Sequence, residues 1–328
     1  MNFLLRPALI AALGLICPHS LWADPLPSWT ESQAKSRITE FVTAVTTPGN
    51  PDYVTPADRI AVFDNDGTLW AEQPVYFQFI FAMDRLSELA QEDPTILTTP
   101  TLNAAAKGDL ATVLQGGHDA LIEVVNASHS GTSVAEFQAD VADWLDTARH
   151  PTTDLAYDKM TYQPMVELLR YLRDQGFQTY IVSGGGIHFM RVFGQDAYGI
   201  PPQQVLGTYG NTDIQNVDGV PTITKAPGIA FIDDKEGKPI NIDRTIGKRP
   251  IFAAGNSDGD FAMLEWTTAG DGPRLGVLIH HTDADREWAY DRDSPIGKLV
   301  DGLDKGPDLG WVIVDMAQDW SRIYTGAN

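Results

Sequence analysis

A chain of 328 residues, 43% of them hydrophobic, can bury one large α/β domain and a smaller accessory one, and its composition is that of a packed protein. Its formal net charge of −21, with Lys and Arg unclustered, excludes the basic stripe that a nucleic acid or an anionic membrane surface requires. The acidity reads as a solvated surface, so an anionic substrate needs local positive charge from a metal, a lysine or helix N-termini.

Residues 1–23 have the layout of a signal peptide. Arg6 supplies the positive start, Pro7 to Cys17 is almost entirely apolar, and Leu21-Trp22-Ala23 before Asp24 offers a cleavage site. The apolar run is too short to span a bilayer comfortably, and Ile16 is too bulky for lipoprotein processing at Cys17. The chain is therefore expected to be exported, periplasmic or secreted, with no stable membrane insertion after cleavage. Cleavage would remove the only cysteine and leave no disulfide, catalytic thiol or thiolate metal site.

Ser28 to Val45 carries helical apolar spacing at Ile38, Phe41, Val42 and Val45. Arg59 to Phe63 is a short apolar strand that stops at Asp64-Asn65-Asp66-Gly67-Thr68. Residues 74–155 lack a strong strand signal and hold helical patterns such as Tyr76 to Leu89 and Val134 to Thr147. Gln163 to Gln175 is an amphipathic helix closed by Gly176, and Phe177 to Val182 is a strand that stops at Ser183-Gly184-Gly185-Gly186. Residues 205–237 read as short strands and turns. Pro239 to Ile246 is a short helix, Pro250 to Ala254 a strand into Gly255-Asn256-Ser257-Asp258-Gly259-Asp260, and Arg274 to Ile279 another that ends at His280-His281. Trp311 to Asp315 completes the sheet. The pattern predicts a Rossmann-like, doubly wound parallel sheet from residues 24–73 and 156–328, with 74–155 inserted as an α-helical cap.

Parallel sheets bind ligands at the carboxyl ends of their strands, and three polar, glycine-rich segments fall at three such ends. Asp64 has the chemistry to attack phosphorus and form an aspartyl-phosphate. Asp66 stands where it can protonate the leaving oxygen and later activate water. Carboxylates beside a phosphate require a hard cation, for which Mg2+ suits an all-oxygen site. Ser183 and the glycines before the helix at Ile187 offer hydroxyl and backbone donors. Among the lysines, Lys248 precedes the strand leading to Asn256 and should lie at the far end of the sheet, more than about 10 Å from the rim. Lys238, just before the Pro239 helix, is expected on the rim, with Lys235 in reserve.

In these segments the chain resembles the haloacid dehalogenase-like hydrolases, in particular phosphoserine phosphatase-like members with a helical cap. Asp64 to Leu69 resembles the first motif, Val182 to Gly185 the second, Lys238 the third and Gly255 to Asp260 the fourth. The resemblance implies a Mg2+-dependent phosphomonoesterase acting on a small phosphorylated substrate. It implies Asp64 as nucleophile and metal ligand, and Asp66 as acid/base with its carbonyl on the metal. Thr68, Ser183 and Gly184 would hold the phosphoryl group and Lys238 would neutralise it. The second acid, Asp66, points to a phosphatase over a dehalogenase. The sequence departs from the family at Asn256, where the first acid of the fourth motif is usual. Either Asn256 coordinates the metal through its amide oxygen with Asp260 alongside, or Asp258 becomes a ligand.

Other features carry weaker readings. Glu72 suits an ammonium group of a substrate or a structural role, and His188 either nears the phosphate or packs. His280 and His281 with Asp283 and Asp285 suit a second metal or a structural role. Trp70, Tyr76, Phe77 and Phe79 suit a cation pocket or a core, and Asn126-Ala127-Ser128 matches a glycosylation sequon by spacing alone. Two other functions fit the scaffold: ligand binding without turnover, which Asn256 motivates, and phosphonate cleavage through an imine on Lys107 or Lys159. Substrate, oligomeric state and pH optimum are not legible.

Overall fold

The computed structural model describes residues 24–326, so the signal-peptide reading lies outside the described residues. Among those residues no helix is long and apolar enough to cross a membrane. Helix α1 (Gln33–Thr46) is capped by the Ser32 side chain and buries Ile38, Val42 and Val45. It begins later than the apolar spacing suggests, because Ser28 gives its backbone and hydroxyl hydrogens to Glu167 (2.8 and 2.7 Å) and Trp29 donates to the Pro164 carbonyl. Strand β1 (Ile60–Phe63) follows.

Five helices occupy the next segment: α2 (Phe77–Glu92), α3 (Pro100–Ala106), α4 (Leu110–Gln115), α5 (Gly117–His129) and α6 (Val134–Thr147). The first four close on an apolar cluster that includes Val75, Phe79, Met83, Leu86, Leu102 and Val124, whereas α6 sends Phe137, Val141 and Leu145 into the main core. Helix α6 starts on a reciprocal cap, with Ser133 accepting from the Glu136 amide and Glu136 accepting from the Ser133 amide.

The α/β alternation resumes with α7 (Gln163–Asp174), β2 (Gln178–Gly186), α8 (Ile187–Tyr198), β3 (Val205–Val217), β4 (Val220–Phe231), α9 (Gly237–Ile246), β5 (Phe252–Gly255) and α10 (Phe261–Thr268). Strands β6 (Leu275–Thr282) and β7 (Ala289–Tyr290), α11 (Asp301–Lys305), β8 (Val312–Asp315) and α12 (Met316–Asp319) complete the chain. The sheet runs β4-β3-β2-β1-β5-β6-β7, with β8 also paired to β6. Pairings from β3 to β6, and β6 with β8, are parallel, while β4 and β7 are antiparallel. β1 and β5 are buried throughout, as central strands covered on both faces must be. Alternate residues serve opposite layers: Ala61 and Phe63 pack on one side of the sheet, Ile60 and Val62 on the other.

Residues 205–231 differ from the short strands and turns expected. They form one long hairpin, turned at Asp218 and Gly219, both at positive φ as a two-residue hairpin turn demands. Its outer half is exposed, and its few apolar residues (Ile214, Val217, Val220 and Ile223) are interspersed with polar ones, so it lacks the continuous apolar run that marks a buried strand. Register breaks at Tyr209, Gly210 and Thr212 bend it, and bulges of this kind increase local twist. β4 is held to the helical segment where Lys225 donates its amide to Thr132 (2.8 Å) and accepts from the Gly131 amide (2.9 Å). Helices and hairpin thus form one roof over the strand ends.

A polar chain crosses this roof. Ser128 lies 2.7 Å from His129 Nδ1, His129 Nε2 is 3.2 Å from the Gln78 amide, and Gln78 Oε1 accepts the Gly186 amide at 2.6 Å. Only a neutral His129 can accept from Gln78. Burial, with the charges of Lys225 and Arg85, pushes its pKa from 6.5 to about 3. Between those values the unfolded chain binds a proton that the folded chain refuses, so this residue makes stability rise with pH, by up to about 1.4 kcal/mol per unit. His129→Gln is expected to flatten the fall in urea midpoint below pH 6.5; an unchanged slope would show that His129 does not set it.

Candidate active site

Asp64 ends β1, where its amide donates to the Ala254 carbonyl of β5 (3.0 Å). The Asn65 carbonyl then accepts amides from Thr68, Leu69 and Trp70, which curls the chain into a tight loop. Gly67 sits in that loop at φ +76°, and a Cβ there would run into Asn256 and Glu72, so only glycine fits. Tyr198 donates its hydroxyl to Asn65 Oδ1 (3.1 Å) and steadies the loop from α8.

Lys238, in the first turn of α9, is buried and reaches groups contributed by the residue after β1, by β2 and by the loop after β5. Its ammonium donates to Asp64 Oδ1 (2.6 Å), Asp260 Oδ1 (2.5 Å) and the Val182 carbonyl (3.0 Å). Burial opposes its charge, but Asp260 and Asp64 more than offset that cost and raise its pKa. Burial also lifts the Asp64 carboxyl well above the usual range, with the Asp260 charge adding to it and Lys238 opposing. Asp260 spends its other oxygen on the Asn256 and Ser257 amides (2.9 and 3.1 Å) and so braces the loop after β5.

Asp66 accepts from the Trp70 indole (2.8 Å) and, more loosely, from the Ser183 hydroxyl (3.4 Å). Burial raises its carboxyl against these bonds and Lys238. Ser183 also accepts the Gly185 amide (3.0 Å), and Thr68 donates to Asn256 Oδ1 (3.2 Å). Asp64, Asp66, Ser183, Gly184, Lys238 and Asp260 line one cavity of about 290 Å³ beneath the roof. Thr68 and Asn256 are buried immediately beside it.

The remaining sequence candidates divide clearly. Lys248 is at the opposite end of the sheet, bonded to Asp58 and the Ala57 carbonyl before β1, and Lys235 is on the surface. Asp258 does not face the cluster: its carboxylate accepts the Val300 and Gly302 amides at the start of α11. His281 is structural, bridging the Gly67 carbonyl (2.8 Å) and Glu287 (3.2 Å), while His280 pairs with Asp291. Asp283 accepts from the Asp285 and Arg286 amides. Lys107 and Lys159 are exposed, away from the cavity. Asn126 lines the cavity and Ser128 is buried, so the sequon faces inward. Phe77 packs against Trp70 and Tyr157, whereas Tyr76, Phe79 and His188 do line the cavity.

Lys225 escaped the sequence reading, and Trp70 and Glu72, read there as a cation pocket or core and as an ammonium contact or structural group, take roles it did not name. Trp70 orients Asp66 through its indole, and nothing in its spacing separates that role from core packing. Glu72 is buried at the cavity wall, and its Oε1 accepts from Asn256 Nδ2 (2.7 Å) and the Tyr290 hydroxyl (2.8 Å), so it braces the fourth motif. Lys225 enters the cavity from β4, in the segment read as turns.

A family model described as haloacid dehalogenase-like hydrolase matches residues 61–265. The chain belongs to that family. Among solved structures, a conserved functionally unknown protein from Anaerococcus prevotii DSM 20548 is 19% identical, with 76% of this chain and 86% of that one covered and a TM-score of 0.50, which indicates a shared fold. A protein with unknown function from Bordetella pertussis Tohama I is 16% identical, covering 79% of this chain and 98% of that one, with a TM-score of 0.47. A phosphoserine phosphohydrolase-like protein from Francisella tularensis subsp. tularensis SCHU S4 is 17% identical, covering 76% and 99%, with a TM-score of 0.40. No curated protein matches the sequence.

The hydrolase sets Asp64 and Asp260 directly on one ammonium, whose charge Asp66 also feels, so removing that ammonium leaves buried carboxylates uncompensated. Lys238→Met is expected to cost about 3–5 kcal/mol in metal-free buffer near neutral pH. Because the stranded carboxylates relieve the strain by taking up protons, the deficit should shrink as pH falls. Urea unfolding of both proteins at two pH values checks this; an equal deficit at both would refute the charge explanation.

Proposed function

We propose that this protein is a Mg2+-dependent phosphomonoesterase that hydrolyses a small phosphate ester through an aspartyl-phosphate on Asp64. One observation carries the reading: two carboxylates two residues apart, a buried ammonium and a serine-glycine loop converge on one enclosed cavity at the strand ends. Lys238 occupies Asp64 Oδ1, while Oδ2 has no hydrogen bond among the described residues and is left for attack. As Asp64 Oδ2 bonds to phosphorus, the ester oxygen departs and takes the proton that a raised Asp66 carboxyl holds. Asp66, now ionised, then accepts a proton from water, and that water attacks phosphorus to free phosphate and Asp64. Ser183, Thr68 and the glycine amides are the donors for the phosphoryl oxygens.

The donor set suits Mg2+. Among the described residues no three His, Cys, Asp or Glu side chains are grouped as a metal cluster, so a cation would take Asp64, the Asp66 carbonyl and the Asn256 amide oxygen. A few protein oxygens completed by water are what Mg2+ favours. Asp260, with both oxygens engaged, fits a bracing role better than direct coordination. The bound cation would offset the repulsion between the carboxylates and the phosphate. The layout of residues 1–23 supports the further proposal that the reaction takes place outside the cytoplasm.

The decisive experiment is phosphate release by residues 24–328 from a panel of small esters, with Mg2+ or with EDTA. EDTA should abolish turnover, and Asp64→Asn should reduce it by several orders of magnitude, on the order of nucleophile removal elsewhere. Retained activity in the folded Asp64→Asn protein would exclude Asp64 as nucleophile.

Asp66 gives a separate prediction. Losing a general acid costs about 10²–10⁴-fold, and the cost grows with the basicity of the leaving oxygen. Asp66→Asn should therefore harm alkyl phosphates far more than p-nitrophenyl phosphate. An equal loss on both would remove proton donation from its role.

A further inference from the structure

The cavity is electrically lopsided. Its acids, Asp64, Asp66, Glu72, Asp234 and Asp260, come from the loops at the strand ends. Among the described residues only two lysines and no arginines line it, and Lys238 is already held by two carboxylates. The other is Lys225, which descends from the hairpin roof.

Lys225 is placed with some care. Its backbone is pinned on both sides to residues 131 and 132, and the neighbouring Thr224 bridges to Ser133. Its ammonium lies 4.3 Å from the centroid of the Phe137 ring. No carboxylate comes within ion-pair distance among the described residues, and the nearby charge-bearing side chains are His129 and His188. Burial keeps both imidazoles neutral at ordinary pH, with values pushed to about 3 and about 4. Burial likewise pulls Lys225 down to about 8, the mark of an ammonium short of compensation. An aromatic face offsets part of the cost of enclosing a cation, but an anion would offset far more. The cavity that holds both Lys225 and the acids also has apolar walls, with Phe79, Ile122, Val125, Phe189 and Ile229 beside polar Gln78 and Asn126.

We propose that Lys225 sets substrate choice by holding an anionic group, carboxylate or phosphate, on the leaving-group end of the phosphate ester whose phosphoryl end sits at Asp64. This rests on the phosphomonoesterase reading and adds the substrate class to it: a short, doubly anionic molecule with an apolar middle. The bland alternative is a lysine that merely lays its stem over Phe137 and turns its charge to solvent.

The test compares alkyl phosphates ending in carboxylate, carboxamide or a second phosphate, over a short series of chain lengths, with the mature chain and Lys225→Met. The readout is the ratio of kcat/KM for an anionic tail to that for the matched carboxamide, so any general loss from the substitution cancels. At its best chain length the wild type should favour an anionic tail by about tenfold or more, as expected for a charge-assisted hydrogen bond. Lys225→Met should bring the ratio near one and Lys225→Arg should keep most of it; Lys225→Gln is a second neutral variant should the Met protein not fold. Carboxylate and phosphate tails, compared directly, name the anion. A wild-type ratio near one, or a ratio unchanged in the neutral variants, overturns the proposal. Calorimetry with the matching phosphonates, which cannot be hydrolysed, separates the two readings. A Lys225-dependent preference for the anionic phosphonate without turnover of any ester would retire the phosphatase reading and leave the anion site standing. Equal binding, or none, by both phosphonates would dismiss the anion site.

Discussion

The Lys238 ammonium, buried between Asp64 and Asp260, is the contact on which the site's geometry depends. A charge in that position is tolerable only with carboxylates around it, and the carboxylates are tolerable only with it. The contact ties the residue after β1, the middle of β2 through the Val182 carbonyl, the loop after β5 and the first turn of α9. Each comes from a different part of the chain, so the site forms only once the central sheet has its final order. Gly255 shows how tight the closure is: a Cβ there would overlap the Asp260 side chain. The same clamp fixes which Asp64 oxygen remains available for chemistry.

Above this floor, the roof is built from two unlike pieces that share their hydrogen bonds. The hairpin pairs with residues 131–133, and Gln78 of α2 joins His129 of α5 to Gly186, the last residue of β2. A displacement of the helices therefore pulls on the loop that holds the phosphoryl donors. The roof also governs the medium below it: enclosure by apolar walls raises the Asp64 and Asp66 carboxyls and keeps His129 and His188 neutral. Substrate choice and proton inventory are thus set by the same packing.

How far this could be read from residues alone follows from what burial does to sequence. Ile60 to Phe63 and Phe252 to Ala254 are apolar runs because both faces of a central strand are covered, and each stops abruptly at polar, glycine-rich chemistry. Such edges are legible, and so is α6, whose ends are written as a capping box and an apolar stripe. The β3–β4 hairpin is not: its outer residues face solvent, so its sequence answers to turn chemistry and register. Lys225 was lost with it. Trp70, Glu72 and His281 kept a structural role as one of two readings, but their partners could not be named, for another reason. Trp70 acts through a bond to Asp66, Glu72 through Asn256 and Tyr290, and His281 through the Gly67 carbonyl and Glu287, and no periodicity encodes such partners.

The departure at Asn256 becomes intelligible in that light. Its amide nitrogen donates to Glu72 at 2.7 Å, and its oxygen accepts from Thr68, so both ends of the amide are specified by their partners. An aspartate at this position would set a second carboxylate against Glu72, within hydrogen-bonding distance and out of water, where two like charges cannot both persist. Glu72 itself cannot move away. A Cβ on Gly67 or Gly297 would strike it, and those two glycines close the space around its carboxylate. Burial already lifts Glu72 well above the usual carboxylate range, and the charges of Asp66 and Asp64 add to it, so a further carboxylate at 256 would meet the same opposition. The carboxylate of this corner is thus Glu72, on the cavity wall, paired with the neutral amide of Asn256. The amide still presents an oxygen, which is what a hard cation requires.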